Sequence, residues 1–150
     1  MHVTRRTLRE KALQILYAYS LTGDPIEEIL YLQLTDITKK DDREFCEKLV
    51  ICTIQNSSRF EELIKDTVEH WDMERIALID SILIKMCLTE FLYFEDIPPK
   101  VSINEYIDIA KDYSTVNSGK FVNGVLDALL EKLKKDQLIR KQGKGLLEGR

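Results

Sequence analysis

Apolar residues recur at intervals of three and four along nearly the whole chain, and the alternation that marks a strand is almost absent, so the pattern predicts an all-α protein. The first stripe, Leu8, Ala12, Ile15, Leu16 and Tyr19, predicts a helix over residues 4–21, with Gly23 placed to end it. Asp24, Pro25 and Glu27 then read as a cap, a first helical residue and a capping-box acid. They introduce a short helix bearing Ile26, Ile29, Leu30 and Leu34. A charged loop over 38–42 leads into a long helix over 43–69 with Phe45, Leu49, Cys52, Phe60, Leu63, Ile64 and Val68 on one side. Ser57 and Ser58 mark the place where it can break.

Residues 73–94 are hydrophobic on nearly every face (Ile76, Ile79, Ile82, Leu83, Met86, Cys87, Phe91), which predicts a buried central helix with the rest of the chain packed around it. Asp80 and Glu90 interrupt that run. They read either as a polar edge of the helix or as a surface kept for a partner. Pro98 and Pro99 end the element, and Ser102 with Glu105 reads as a capping box for a helix ending near Tyr113. After a polar loop over 114–119, a last helix over 120–134 carries Phe121, Val122, Val125, Leu126, Leu129 and Leu133. The segment 135–150, with three glycines and many charges, reads as a basic flexible tail.

At 150 residues and 44% hydrophobic composition the chain suffices for one ordinary domain. No run approaches the roughly 18 to 20 apolar residues that cross a bilayer. A cytoplasmic protein without a membrane role is therefore expected. Cys46, Cys52 and Cys87 lie on apolar helix faces without CxxC spacing and read as reduced core residues. His2 and His70, the only two histidines, give little material for a catalytic triad or a multi-histidine metal site, and no glycine-rich phosphate loop follows a strand. The expectation is a protein with no catalytic residues, no cofactor and no metal.

Charge changes the picture. Residues 1–20 hold Arg5, Arg6, Arg9 and Lys11 against Glu10, a net +3, and residues 131–150 carry a net +4. With a total of −4, residues 21–130 carry −11, so a polyanion can be met only locally, at the basic ends. At about 100° per residue, Arg9 falls about 40° round the first helix from Arg5, and Arg6 and Tyr17 fall about 100° and 120° round. Arginines that grip phosphate thus share a flank with a ring on which an unpaired base can stack, which favours single-stranded RNA over duplex DNA. The same spacing equally fits arginines paired with acids elsewhere in the chain and a tyrosine at the edge of the core. The basic residues Lys132, Lys134, Lys135, Arg140, Lys141 and Lys144 either extend an RNA track or merely solubilise the tail.

The segment RRTLREKALQILYAYSL (residues 5–21) resembles the opening of the NusB family of bacterial transcription antitermination factors. Trp71, RIALIDSILIKM (75–86), Glu90, IPPKVSINEYIDIAKDYS (97–114) and KFVNGVLD (120–127) resemble that family's C-terminal half in order and spacing. INEYIDIAK followed by KFVNGVLD is a compound pattern that generic amphipathic helices do not produce. The likeness covers about two thirds of the chain.

The resemblance implies about seven helices in two abutting bundles, near 4–70 and 71–134, within a single unit over 1–134. It implies a function without chemistry: binding the boxA element of nascent single-stranded RNA with the ribosomal protein NusE, within an RNA polymerase antitermination complex. On the matching positions Arg5, Arg6, Arg9 and Tyr17 correspond to the RNA-binding head, and Asn117, Ser118, Lys120 and Phe121 to a second part of the RNA surface. Glu90 corresponds to an acidic position facing NusE, with Lys85, Met86 and Tyr93 as candidates for the same contact. NusB-like domains also occur in ribosomal-RNA cytosine methyltransferases, a reading that needs a downstream cofactor-binding domain, and a helical scaffold that binds only protein is a third possibility. A homodimer hiding the RNA surface is also compatible with the sequence.

Overall fold

The computed structural model describes residues 3–69 and 76–147, and all its long elements are helices. The first, α1 (Arg5–Thr22), starts where the Thr4 hydroxyl accepts from the Thr7 N–H at 3.1 Å, and it ends at Gly23 in the left-handed conformation (φ 70°). Next, α2 (Ile26–Gln33) follows Pro25 without a side-chain cap, because the Asp24 backbone N–H is taken by the Thr22 hydroxyl and no acid folds back over the helix start. The capping box expected there does not form.

The long third helix is in fact two, α3 (Lys40–Gln55) and α4 (Ser57–Thr67). They part at Asn56, whose side-chain amide donates to the Cys52 carbonyl at 2.8 Å and competes with the helical ladder. The central helix α5 (Leu78–Tyr93) begins later than residue 73, and the expectations for His2, His70, Trp71 and Met73 lie outside the described residues. Then come α6 (Pro99–Tyr113) and α7 (Val116–Lys135). The two prolines start α6 rather than merely ending α5, since a proline tolerates the first turn, where no N–H is needed. Thr115 caps α7 through the Ser118 N–H at 3.1 Å, so the loop expected over 114–119 shrinks and Asn117, Ser118 and Lys120 become residues of the first helical turns.

Buried on nearly all sides, α5 packs against α1, α3, α4, α6 and α7. Leu83, Ile84, Met86, Leu88 and Phe91 are fully enclosed, each contributing on the order of 1.5–3 kcal/mol by leaving water. One continuous core runs through α1–α7, and packing of α4 on α7 joins the first four helices to the last three. The most extensively packed pair is α6 and α7, where a Cβ at Gly119 would lie 2.8 Å from Lys111 Cγ.

The chain beyond α7 is not a loose tail as far as residue 147. It turns back at Gln137 (φ 58°), the Gln142 N–H donates to the Glu95 carbonyl at 2.9 Å, and a short 3-10 helix (Gly143–Leu146) follows. Gly145 is enclosed so tightly that a Cβ there would lie 1.8 Å from the Glu95 carbonyl oxygen. The reason for this docking is the end of α5. Lysines converge on its last carbonyls: Lys141 Nζ donates to those of Glu90 (2.9 Å) and Phe94 (2.7 Å), which also accept from the Phe94 and Ile97 N–H groups, and Lys48 Nζ donates to that of Tyr93 (2.7 Å).

Candidate nucleic-acid interface

The basic face of α1 is divided between the interior and the surface. Arg9, only 3% exposed, lies on the same side as Ala12, Leu13 and Leu16 and points inward to Glu90, which is fully buried on α5. The pair is bidentate, Nε to Oε2 at 2.8 Å and Nη2 to Oε1 at 2.9 Å. Two α6 hydroxyls complete the carboxylate shell, Ser102 donating to Oε1 at 2.7 Å and Tyr106 to Oε2. Burial alone would lower the Arg9 pKa, but the charge and hydrogen bonds of Glu90 outweigh it and hold the guanidinium above its ordinary value. Burial, reinforced by the charge of Glu90, pushes the Tyr106 phenol well up, so it remains a donor. This cluster is a satisfied buried ion pair that pins α1, α5 and α6 together.

Arg6 continues the seam. Its guanidinium binds Glu105 in two-pronged fashion at 3.0 and 2.9 Å and reaches Asp108 at 3.0 Å, and Arg9 touches Glu105 at 3.3 Å. The hydrogen bond to Glu105, working against desolvation, raises the Arg6 pKa. Arg5 is different: it is exposed, with its guanidinium 4.1 Å above the Phe45 ring.

Several sequence expectations change here. Arg9 and Glu90 are each other's partners in the interior, so neither faces RNA or a protein; the arginine spacing had left that pairing open. Met86 is fully buried, and Ser118, 8% exposed, is turned towards the Ser114 hydroxyl at 2.9 Å. Lys85 pairs with Glu61 at 3.0 Å and Ser57 at 3.0 Å, and the Tyr93 hydroxyl donates to Asn56 at 3.0 Å and accepts from Arg59 at 2.9 Å, so both clasp α4. The expected four-residue partner face on α5 is therefore half interior and half the α4–α5 seam. Ser102 and Glu105 form no cap: Pro98 precedes α6, and both residues lie inside it and point at the α1 arginines or their partner.

Other expected residues do meet at the surface. Tyr17 is 38% exposed, and Gln14, one turn before it on α1, donates to the Tyr113 hydroxyl at 3.1 Å. Tyr113 ends α6, and Ser114 next to it is tied to Ser118 on α7. Asn117 and Lys120 stand exposed on that same first stretch of α7, Phe121 is half-buried, and exposed Lys111 lies over Gly119. A polar strip thus runs from Tyr17 through Gln14 and Tyr113 to Asn117 and Lys120. Gln14, Tyr113 and Lys111 carried no signal of their own in the sequence, because a single exposed glutamine, tyrosine or lysine on a helix is ordinary.

The two buried thiols are held in their unreactive form. Burial pushes the Cys46 thiol up to about 12 and the Cys87 thiol well above its ordinary value, which leaves neither as a nucleophile. Among the described residues no group of histidine, cysteine, aspartate and glutamate is placed to hold a metal, and no helix is long and apolar enough to cross a membrane.

Comparison with known proteins agrees with this architecture. The NusB family model matches residues 6–131. The chain is 39% identical over 153 aligned positions to the transcription antitermination protein NusB of Chloroherpeton thalassium, covering 99% of this chain and 71% of that one. T. maritima NusB superposes with a TM-score of 0.81 at 32% identity, over 92% of this chain and 100% of that structure. A structure of antitermination factors NusB and NusE in complex with double-stranded RNA shares the fold, with a TM-score of 0.77 at 24% identity over 85% of this chain and 96% of its own. With helices α1–α7 arranged around a buried α5 and a family match over most of its length, this chain belongs to the NusB family of transcription antitermination proteins.

Proposed function

We propose that this protein binds the boxA element of nascent ribosomal RNA as a single strand, together with the ribosomal protein NusE, and acts without catalysis in antitermination. The observation that carries the reading is the hydrogen bond from Gln14 to Tyr113, because it joins the exposed flank of α1 to the end of α6, three residues before α7 begins. Tyr17 and Tyr113 then offer rings for unpaired bases, and Arg5, Lys111, Asn117 and Lys120 offer charge and hydrogen bonds to the backbone and base edges. Antitermination factors NusB and NusE occur together, there with double-stranded RNA, in a structure of the same fold, which supports a protein partner as part of the site. The acidic middle of the chain suits a basic ribosomal protein, and the α4–α5 seam around Lys85 and Tyr93 is where we place part of that contact.

The test is titration of a boxA-like single-stranded RNA with and without NusE, across a salt series. Tyr17→Ala should weaken binding by about 1–3 kcal/mol if a base stacks there. Arg5→Ala with Lys120→Ala should flatten the salt dependence by about 0.7 in log–log slope for each phosphate no longer neutralised. If these variants bind like the wild type, or if NusE fails to tighten binding, the proposal is wrong.

A further inference from the structure

The two basic ends of the sequence, separated by an acidic middle, are brought to one place in the fold. They hold the same residue: Arg9 grips the Glu90 carboxylate, while Lys141 from the chain's other end donates to the Glu90 carbonyl. A second path of contacts joins the two ends through the buried rings of Phe45 and Phe94. Arg5 lies over Phe45, Phe45 packs edge-on against Phe94 with ring centroids 5.3 Å apart, and the Phe94 carbonyl accepts from Lys141. Docking of the tail also builds a cleft of about 390 Å³ between the start of α6 and the end of α7. Pro99, Ile139, Gly145, Leu146 and Leu147 line it together with three lysines, Lys100, Lys134 and Lys141, and among the described residues no carboxylate joins them. Acids outnumber bases in this chain, 26 to 22, so a cleft lined by three lysines and, among the described residues, no acid is a local inversion of its charge.

We infer that the docked tail forms a phosphate-binding extension of the RNA surface, in which the backbone of single-stranded RNA continuing past Arg5 at the start of α1 is held by Lys100 and Lys134 in the cleft beside Lys141. Lys100 and Lys134 supply point charges for phosphate oxygens, whereas Lys141 is committed to the two carbonyls at the end of α5 and serves to fix the wall. Glu95 and Asp96 lie near Lys141 but do not line the cleft, and Glu95 is engaged by the Gln142 side-chain amide at 2.6 Å. Leu146 and Leu147, both strongly exposed, provide an apolar border on which a sugar or base edge can rest. This inference deepens the RNA-binding reading and rests on it.

The experiment uses the full chain with NusE and two single-stranded RNAs, a short one carrying only a boxA-like core and a longer one extended with uridines on both sides. Lys100→Gln with Lys134→Gln should leave the short RNA unaffected, weaken the longer one, and lower its salt slope by about 1.4, since each phosphate released from a single strand contributes about 0.7. Gly145→Val, which keeps every lysine but drives a side chain into the Glu95 carbonyl, should remove the same increment by undocking the tail, with circular dichroism checking that the helices persist. Equal binding of the longer RNA by the wild type and the lysine variant overturns the extension. So does an unchanged affinity in Gly145→Val, because a track that survives undocking is loose charge rather than a cleft. If Tyr17→Ala and Arg5→Ala also leave the short RNA unaffected, the RNA-binding reading itself fails; if they weaken it while the tail variants do not, only the extension fails.

Discussion

Replacing Glu90 by glutamine tests the interior assignment of Arg9 directly. In the native protein the Glu90 carboxylate accepts four hydrogen bonds, two from Arg9 and one each from Ser102 and Tyr106, and is fully buried. Glutamine preserves the shape but removes the charge, and it turns an NH₂ donor towards groups that are themselves donors. The Arg9 guanidinium then stays enclosed with only the 3.3 Å approach to Glu105 as an anionic partner among the described residues. Removing one member of a buried pair costs about 3–5 kcal/mol, a large part of a typical stability of about 5–15 kcal/mol. Glu90→Gln and Arg9→Met should each show that decrease in urea unfolding followed by far-ultraviolet circular dichroism. The double variant Arg9→Met with Glu90→Leu should recover much of it, because an apolar pair leaves no uncompensated charge. A decrease below about 1 kcal/mol in Glu90→Gln, or a coupling energy near zero, would refute the reasoning, given that contacting pairs normally couple by about 0.5–3 kcal/mol. Under conditions where Arg9→Met remains folded, its RNA affinity should equal that of the wild type; selective loss of RNA binding would show that Arg9 reaches RNA after all.

Three further outcomes follow from other parts of the fold. Thiol labelling under native conditions should modify half-buried Cys52 first, with Cys46 and Cys87 reacting only on global unfolding; equal rates at all three would contradict their burial. Burial, opposed by the charge of Glu90, lowers the Lys141 pKa from 10.5 to about 8, so between those values the native chain has released a proton that the unfolded chain still holds. Stability therefore gains a contribution as pH rises through that window, and urea midpoints measured at its two ends should differ less in Lys141→Met than in the wild type. An identical pH dependence in the two proteins would disprove the assignment. Thr115→Ala removes the side-chain acceptor at the start of α7 and should cost about 0.5–2 kcal/mol by thermal unfolding, while an unchanged melting temperature would mean the cap contributes nothing.

Helix periodicity was legible because it depends on local spacing. The stripes Leu8, Ala12, Ile15, Leu16 and Val122, Val125, Leu126, Leu129 are buried as their spacing requires, and the apolar run centred on Leu83 forms the enclosed α5. Gly23 ends α1 for a reason contained in one residue, its access to positive φ. Caps were less legible, since Ser102 and Glu105 have the spacing of a capping box yet spend their polar groups on Glu90 and on arginines nearly a hundred positions away.

The amino-acid sequence by itself thus determined the helices, the buried central element, the family likeness and the net charge of each region, because each of these is a property of neighbours along the chain. Tertiary structure alone decided what the charges are for. Arg5, Arg6 and Arg9 share one flank within a single turn or so, yet one covers an aromatic ring at the surface, one bridges to α6, and one is sealed against Glu90. The difference lies in which helix happens to face each side chain, and in the cost of burying a charge, which admits Arg9 to the core only because the Glu90 carboxylate of α5, itself held by two hydroxyls of α6, arrives to meet it.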